Sequence, residues 1–279
     1  MTAAIATSAD ASPDAAGTPA PPRRGGSGLL GLAGLAGLLL VVEFASRSGL
    51  VSDRYLPPTS RIVVALSEEL GTGEFWQALG DTLAAWAIGL LIATGAGVLA
   101  GVLIGAVPLL RAATASTVEF LRPIPSVALI PIAVLLYGSS LKSSLLLIVY
   151  AAFWQVMIQV LAGVQDVDPV ADETARSYGL GWWYRIRYVL WPTALPYVFT
   201  GVRLAAAVAL VLAITAELVI GAPGLGKEIA VAQASNAIPA LYALIVVTGL
   251  LGVCINLLAR AAERRLLRWH QSVRGELPA

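Results

Sequence analysis

The stretch Thr82 to Val107, TLAAWAIGLLIATGAGVLAGVLIGAV, runs 26 residues without a charge. At about 1.5 Å per residue it makes a helix of about 39 Å, longer than the roughly 30 Å hydrocarbon core of a bilayer. Such a helix must tilt or project. Further apolar runs follow at about 118–137, 143–164, 197–220 and 239–259, and a shorter one, Leu29 to Val42, comes first. Strand-length pieces of alternating polarity are absent, which argues against a β-barrel. Only helices then satisfy the backbone inside lipid. The expectation is an all-α polytopic membrane protein with about six transmembrane helices.

Composition agrees. Of the 279 residues 58% are hydrophobic and 13% charged, about half the charge of an ordinary soluble domain. A net charge of +1 gives no general pull toward nucleic acid, and none is expected as a partner. A single cysteine (Cys254) and a single histidine (His270) exclude an intrachain disulfide and a His/Cys metal cluster within one chain. No cofactor and no metal are expected.

Residues 1–27, rich in Ala, Pro, Ser, Thr and Gly, read as a disordered cytoplasmic tail. Residues 28–270 form the transmembrane domain and 271–279 a C-terminal tail. Arg23-Arg24 before Leu29–Val42 resembles a signal peptide, but Glu43-Phe44-Ala45-Ser46-Arg47 is no clean cleavage site, so an uncleaved first span is expected. With the N-terminus inside, eleven Lys and Arg fall on the cytoplasmic side and five (Arg47, Arg54, Arg61, Lys142, Lys227) opposite. Both termini are expected inside, in the cell inner membrane with lipid around the bundle. Segment 46–81 carries Leu56-Pro57-Pro58-Thr59-Ser60 and an amphipathic stretch (Ile62, Val63, Leu66, Leu70), read as an interfacial helix outside.

The longest cytoplasmic interruption is Gln165 to Pro196, QDVDPVADETARSYGLGWWYRIRYVLWPTALP. Asp168 suits an N-cap and Pro169 the first helical position. Asp172 and Glu173 follow in the first turn, and Gly179 and Gly181 are stop signals. The pattern predicts a helix over 169–178 and a second from Trp182 to about Leu190, with Pro192 and Pro196 marking entry to the fifth span. The small patch Ala171, Thr174 and Ala175, with Glu173 and Arg176 for pairing, can dock another protein. Equally, Trp182, Trp183 and Tyr184 suit a helix resting on lipid headgroups.

This loop resembles the coupling-loop signature of ABC importer permeases: Glu-Ala-Ala, three residues, Gly, nine residues, Ile-x-Leu-Pro. The matches are Glu173, Ala175, Gly179 and Pro192, with Thr174, Val189 and Trp191 departing from the pattern. Over roughly 55–270 the chain is similar to the nitrate/sulfonate/taurine-type subfamily. Leu56-Pro57-Pro58, Phe120-Leu121-Arg122-Pro123-Ile124-Pro125, Thr200-Gly201-Val202-Arg203-Leu204 and Gly224-Leu225-Gly226 carry that likeness. So do Ala162-Gly163-Val164 and Glu263-Arg264-Arg265-Leu266-Leu267-Arg268-Trp269. The resemblance implies a type I permease fold and a helix at 169–181 that enters a cleft of a separate ATPase subunit. Asp172, Glu173, Thr174, Ala175, Arg176 and Gly179 would form that contact. It also implies a permease homodimer, an extracytoplasmic solute-binding protein and a small anionic solute of the sulfonate, nitrate or taurine kind. The chain itself would not be an enzyme.

Gly221 to Lys227 imitates a phosphate-binding loop, but Glu228 stands where Ser or Thr would hold Mg²⁺, and an apolar helix precedes it. A turn between spans is the better reading. Glu119, Arg203 and Glu217 are ionisable groups in or beside apolar runs, candidates for a cavity or a pair. The first two are expected to snorkel at cytoplasmic ends. Glu217 is a translocation-path candidate. Arg122, Pro123 and Pro125 are others, either as a broken helix facing a cavity or as ordinary punctuation before a span. Gly95, Gly97, Gly101 and Gly105 suggest close helix packing. An ion-coupled secondary transporter is the alternative function, but it would want internal repeats and midplane acids, of which only Glu217 offers itself. An intramembrane enzyme would need a nucleophile with its base, or metal ligands, at membrane depth, and neither is found.

Overall fold

The computed structural model describes residues 27–49, 51–52 and 55–267, and its regular elements are all helical. The N-terminal tail with Arg23-Arg24, the C-terminal tail 271–279, Arg54, Arg268 and Arg274 lie outside the described residues. The helices are α1 (Ser27–Arg47), α2 (Thr59–Leu70), α3 (Gly73–Ala106), α4 (Pro108–Leu121), α5 (Ile130–Tyr137) and α6 (Leu141–Gln165). Then come α7 (Pro169–Ser177), α8 (Trp182–Arg185), α9 (Trp191–Ile220), α10 (Leu225–Ala234) and α11 (Ile238–Leu266).

The centre is α6, held between α3 and α9. On α3 the residues Gly89, Ala93, Gly97, Gly101 and Gly105 recur every fourth position and are all buried. A Cβ at Gly97, Gly101 or Gly105 would lie 2.8, 2.7 and 2.7 Å from Val156, Val160 and Val164, so only glycine permits this approach. Such small-residue seams are how helices associate where lipid removes the hydrophobic drive between them. Gly95 meets nothing, because two residues from Gly97 is about 200° around the helix. Gly89, against Ile148, takes its place in the seam. On the other side of α6, Gly201 of α9 abuts Gln159 and Val156, and Gly163 abuts Tyr197.

These contacts fix direction. Along α3 and α6 the paired numbers rise together, so the two helices run parallel; along α6 and α9 they run opposite. Two parallel neighbours require one return crossing between them. That return is α4, a 3₁₀ turn at Ser126–Leu129 and α5, bent by 83° at the break. The expected single span at 118–137 is therefore an elbow, and Arg122-Pro123-Ile124-Pro125 is a true interruption. The prolines withdraw two N–H donors there. The Leu121 carbonyl at the break accepts from the Ile124 N–H at 3.2 Å and from the Tyr150 hydroxyl of α6 at 2.6 Å. Because α4 starts at Pro108, Glu119 lies three residues before the break and not at a helix start.

Four described helices are long and apolar enough to cross a membrane, and the elbow makes five. The 21-residue α1 has the length for the sixth. It is tied to α2 by Glu43, whose carboxylate accepts from the Ser60 N–H at 3.1 Å and the Ser60 hydroxyl at 3.0 Å. Segment Trp182–Ile220 is one 39-residue helix, with a π-helical turn at Ile186–Leu190. Pro196 sits inside α9 and does not mark its entry. Helix α11 packs antiparallel to α9, where Arg203 reaches Glu263 in an ion pair at 3.4 Å. One end of the bundle thus carries the close of α3, α7 and the close of α11. The other carries the starts of α3, α6 and α11, with α10.

The glycine seam yields a test. Gly101→Leu should destabilise the detergent-solubilised protein by about 1–3 kcal/mol through overpacking, whereas Gly95→Leu should be near neutral. Equal shifts in the two thermal midpoints would contradict the packing described.

Candidate functional site

Helix α7 is defined at both ends by local chemistry. The Asp168 carboxylate accepts from the Val170 N–H at 2.8 Å, and Pro169 follows in the first turn. At the far end Gly179 takes φ +73°, its N–H donating to Arg176 at 2.9 Å while Leu180 donates to the Ala175 carbonyl at 3.0 Å. This is a Schellman closure, which needs the glycine's freedom. Gly181 is not a second stop: it opens α8 as its N-cap.

The expected contact residues divide between two faces. Glu173, Thr174, Arg176 and Gly179 are exposed, beside Val170 and Tyr178. Ala175 is buried against its own chain, so it cannot belong to an outward small-residue patch. Asp172 also turns inward. It accepts from Arg185 of α8 through Nε at 2.7 Å and Nη2 at 2.6 Å, while Arg176 lies 2.9 Å away. The bidentate fork is the strong arrangement for this pair. The Arg185 hydrogen bonds, above all, hold the Asp172 carboxyl below the usual value of 3.8. Its contribution to stability is therefore complete above the ordinary carboxylate range and disappears only as pH falls through the lower folded value. Behind the pair a cavity of about 380 Å³ separates α7 and α8 from the ends of α3 and α6 at Gly105 and Val164.

The path candidates lie elsewhere. Arg122, Pro123 and Pro125 are exposed at the elbow. The elbow adjoins an apolar groove of about 850 Å³ along α6, lined by Leu121, Tyr137, Lys142, Tyr150, Phe153 and Trp154. Glu217 is 1% exposed. Its Oε2 accepts from Thr82 of α3 at 2.9 Å and from the Gly226 N–H at 3.0 Å, while Thr82 in turn accepts from the Leu225 N–H at 2.9 Å. Carboxylate and hydroxyl together cap α10 from outside that helix. A Cβ on Gly224 or Gly226 would collide with the Glu217 side chain, which accounts for Gly224-Leu225-Gly226.

Arg185 and Thr82 escape a sequence reading. Arg185 lies 13 positions from Asp172 across a turn, beyond any helical period, and Thr82 is one hydroxyl at the start of a long apolar run. The loop after α9 follows a helix and not a strand, so it lacks the setting of a nucleotide loop.

A helical membrane bundle with an elbowed span and a capped helix set between its fourth and fifth crossings is the architecture of a transporter permease. The chain belongs to the family described as binding-protein-dependent transport system inner membrane component, whose model matches residues 93–268. It is a multi-pass permease subunit of an ABC importer. It is 31% identical over 229 residues to the taurine transport system permease protein of Escherichia coli, covering 80% of this chain and 83% of that one. A Bacillus subtilis protein named as an aliphatic sulfonates transport permease is 30% identical over 227 residues, covering 81% and 82%. Among solved structures, the inward-facing methionine ABC transporter MetNI shares the fold with TM-score 0.60 at 19% identity, covering 69% of this chain and 95% of that chain.

Removing the carboxylate beneath α10 tests its role as a cap. Glu217→Ala leaves buried donors unpaired at roughly 1–3 kcal/mol each, so the thermal midpoint should fall clearly. Glu217→Gln, which keeps an accepting oxygen, should fall less. Equal midpoints for Ala and wild type would remove the capping account.

Proposed function

We propose that two copies of this chain enclose a path for a small anionic solute, of the sulfonate, nitrate or taurine kind, and that α7 of each copy docks an ATPase subunit. The observation that carries the reading is α7 itself: capped at both ends, held from behind by Arg185, and presenting Val170, Glu173, Thr174 and Tyr178 outward. ATP hydrolysis belongs to that separate subunit, and an extracytoplasmic binding protein delivers the solute at the α10 end. Closure of the ATPase pair draws the two α7 helices together and moves the spans between two packings.

Charge supports the orientation. Arg111, Arg176, Arg185, Arg187, Arg260, Arg264 and Arg265 gather at the α7 end, against Arg47, Arg61, Lys142 and Lys227 at the other. By the positive-inside rule the α7 end is cytoplasmic, with both termini on that side. Residues 28–270 then act as one permease domain, with tails 1–27 and 271–279 outside it.

The solute class rests on the relatives' names, nitrate import among them, and on Arg122. This arginine is exposed at the elbow, next to the Leu121 carbonyl that Tyr150 reaches ten residues into α6. A cation at such depth is costly in lipid and belongs beside water or an anion. Pro123 and Pro125 hold the break open beside the same path. Glu217, in this reading, serves the path indirectly by fixing α10.

Two measurements test the scheme. Glu173→Arg, or deletion of 170–179, should abolish ATP-dependent uptake and co-purification of the ATPase while the chain still inserts. Unchanged co-purification would refute docking, and uptake in ATP-depleted vesicles with an ion gradient would point to a secondary transporter. Arg122→Gln should lower uptake of a sulfonate at least severalfold with ATPase recruitment intact; full uptake would remove Arg122 from the path.

A further inference from the structure

The outward face of α7 explains how a partner is held, but not how its movement reaches the membrane. Between α7 and the 39-residue helix Trp182–Ile220 lies only Tyr178-Gly179-Leu180-Gly181. Two of its four residues lack a Cβ and one sits at φ +73°, so the linker bends easily and carries little torque. Of the described α7 residues, Ala175 alone is buried. A pull on α7 would pivot about this joint unless something braces it.

We propose that Asp172 and Arg185 are that brace: positioning residues that lock α7 to the base of Trp182–Ile220, so both turn as one body when the ATPase moves. This rests on the reading that α7 meets the ATPase. Three features of the pair carry it. First, the fork is bidentate, with 2.7 and 2.6 Å bonds from Nε and Nη2, so it fixes an angle as well as a distance. Second, Arg185 closes α8 and immediately precedes the π turn Ile186–Leu190. Such turns break the regular ladder and are frequent at functional sites. The brace therefore acts on the stretch of the long helix where direction is least firmly set. Third, both side chains are about three-quarters shielded, at 24% and 25% exposure. A pair this shielded adds little net stability over apolar side chains, and its better-attested use is to specify one arrangement.

Asp172 is thereby separated from its neighbour. Glu173 points away from the bundle and is free to touch a partner, while Asp172 points back and acts within the chain. Consecutive helical positions lie about 100° apart, so the two acids serve different faces.

The test uses the complete complex of permease, ATPase and binding protein in proteoliposomes, measuring solute transported per ATP hydrolysed. Asp172→Leu with Arg185→Leu removes the charges but keeps the space filled. The ATPase should co-purify at the normal ratio while transport per ATP falls about five- to tenfold, the scale of a typical coupling energy. Exchanging the charges, Asp172→Arg with Arg185→Asp, should restore most of that loss, since Arg176 is largely exposed and can turn into water. Unaltered transport per ATP in the Leu pair would overturn the brace. So would loss of ATPase co-purification in the Leu pair, which would make the pair part of the docking surface. Failure of the exchanged pair, with co-purification kept, would also count against it. A wrong docking assignment shows separately, as ATPase that still co-purifies after deletion of 170–179.

Discussion

The approach of α3 and α9 to α6, close enough that a methyl group would not fit, is the constraint from which the rest of this permease follows. In lipid a helix gains nothing by exchanging apolar neighbours for other apolar neighbours. Association must come from contact itself, and contact is densest where one partner has no side chain. Gly97, Gly101 and Gly105 meet three valines in constant register, and Gly201 repeats the arrangement across α6. The register makes α3 and α6 parallel, which obliges the chain to return between them. The elbow at Arg122–Pro125 is the form that return takes.

Polar chemistry is concentrated at the two ends of the long helix Trp182–Ile220. At one end Arg185 grips Asp172; at the other Glu217 and Thr82 cap α10. Both contacts solve a problem of the chain's own making. Helix α7 hangs on a glycine linker, and α10 begins at Gly224 with backbone donors pointing into the protein. The glycines that allow these turns also create the need for the carboxylates that steady them.

Much of this was legible in the residues. Long apolar runs marked the spans, because length and polarity alone decide what crosses a bilayer. Helix α7 was legible from Asp168, Pro169 and Gly179, since caps are local and their chemistry is carried by single positions. The elbow was only half visible: two prolines show that a helix is interrupted, but not the 83° angle between the two halves. Pro196 misled because it lies inside α9, and a membrane helix packed among neighbours tolerates a proline within it. Gly95 misled because four glycines near one spacing do not all share a face. Asp172–Arg185 and Glu217–Thr82 join positions 13 and 135 residues apart, which no period within one helix can reveal.

The two carboxylates also differ in what they permit. Asp172 stands outside the apolar spans with a quarter of its side chain open to solvent, and in the proposed brace its fork to Arg185 holds the angle of α7. Glu217 is closed off, and separating it from Thr82 and Gly226 would strand buried donors at a cost of roughly 1–3 kcal/mol each. A rearrangement driven from the α7 end is therefore carried inward by the proposed brace and meets a cap that cannot yield at the far end. Helix α10 and the start of α3 must then travel with the end of α9 as a unit. In the proposed mechanism a transmitted movement opens space between packed bodies and leaves the α10 cap intact.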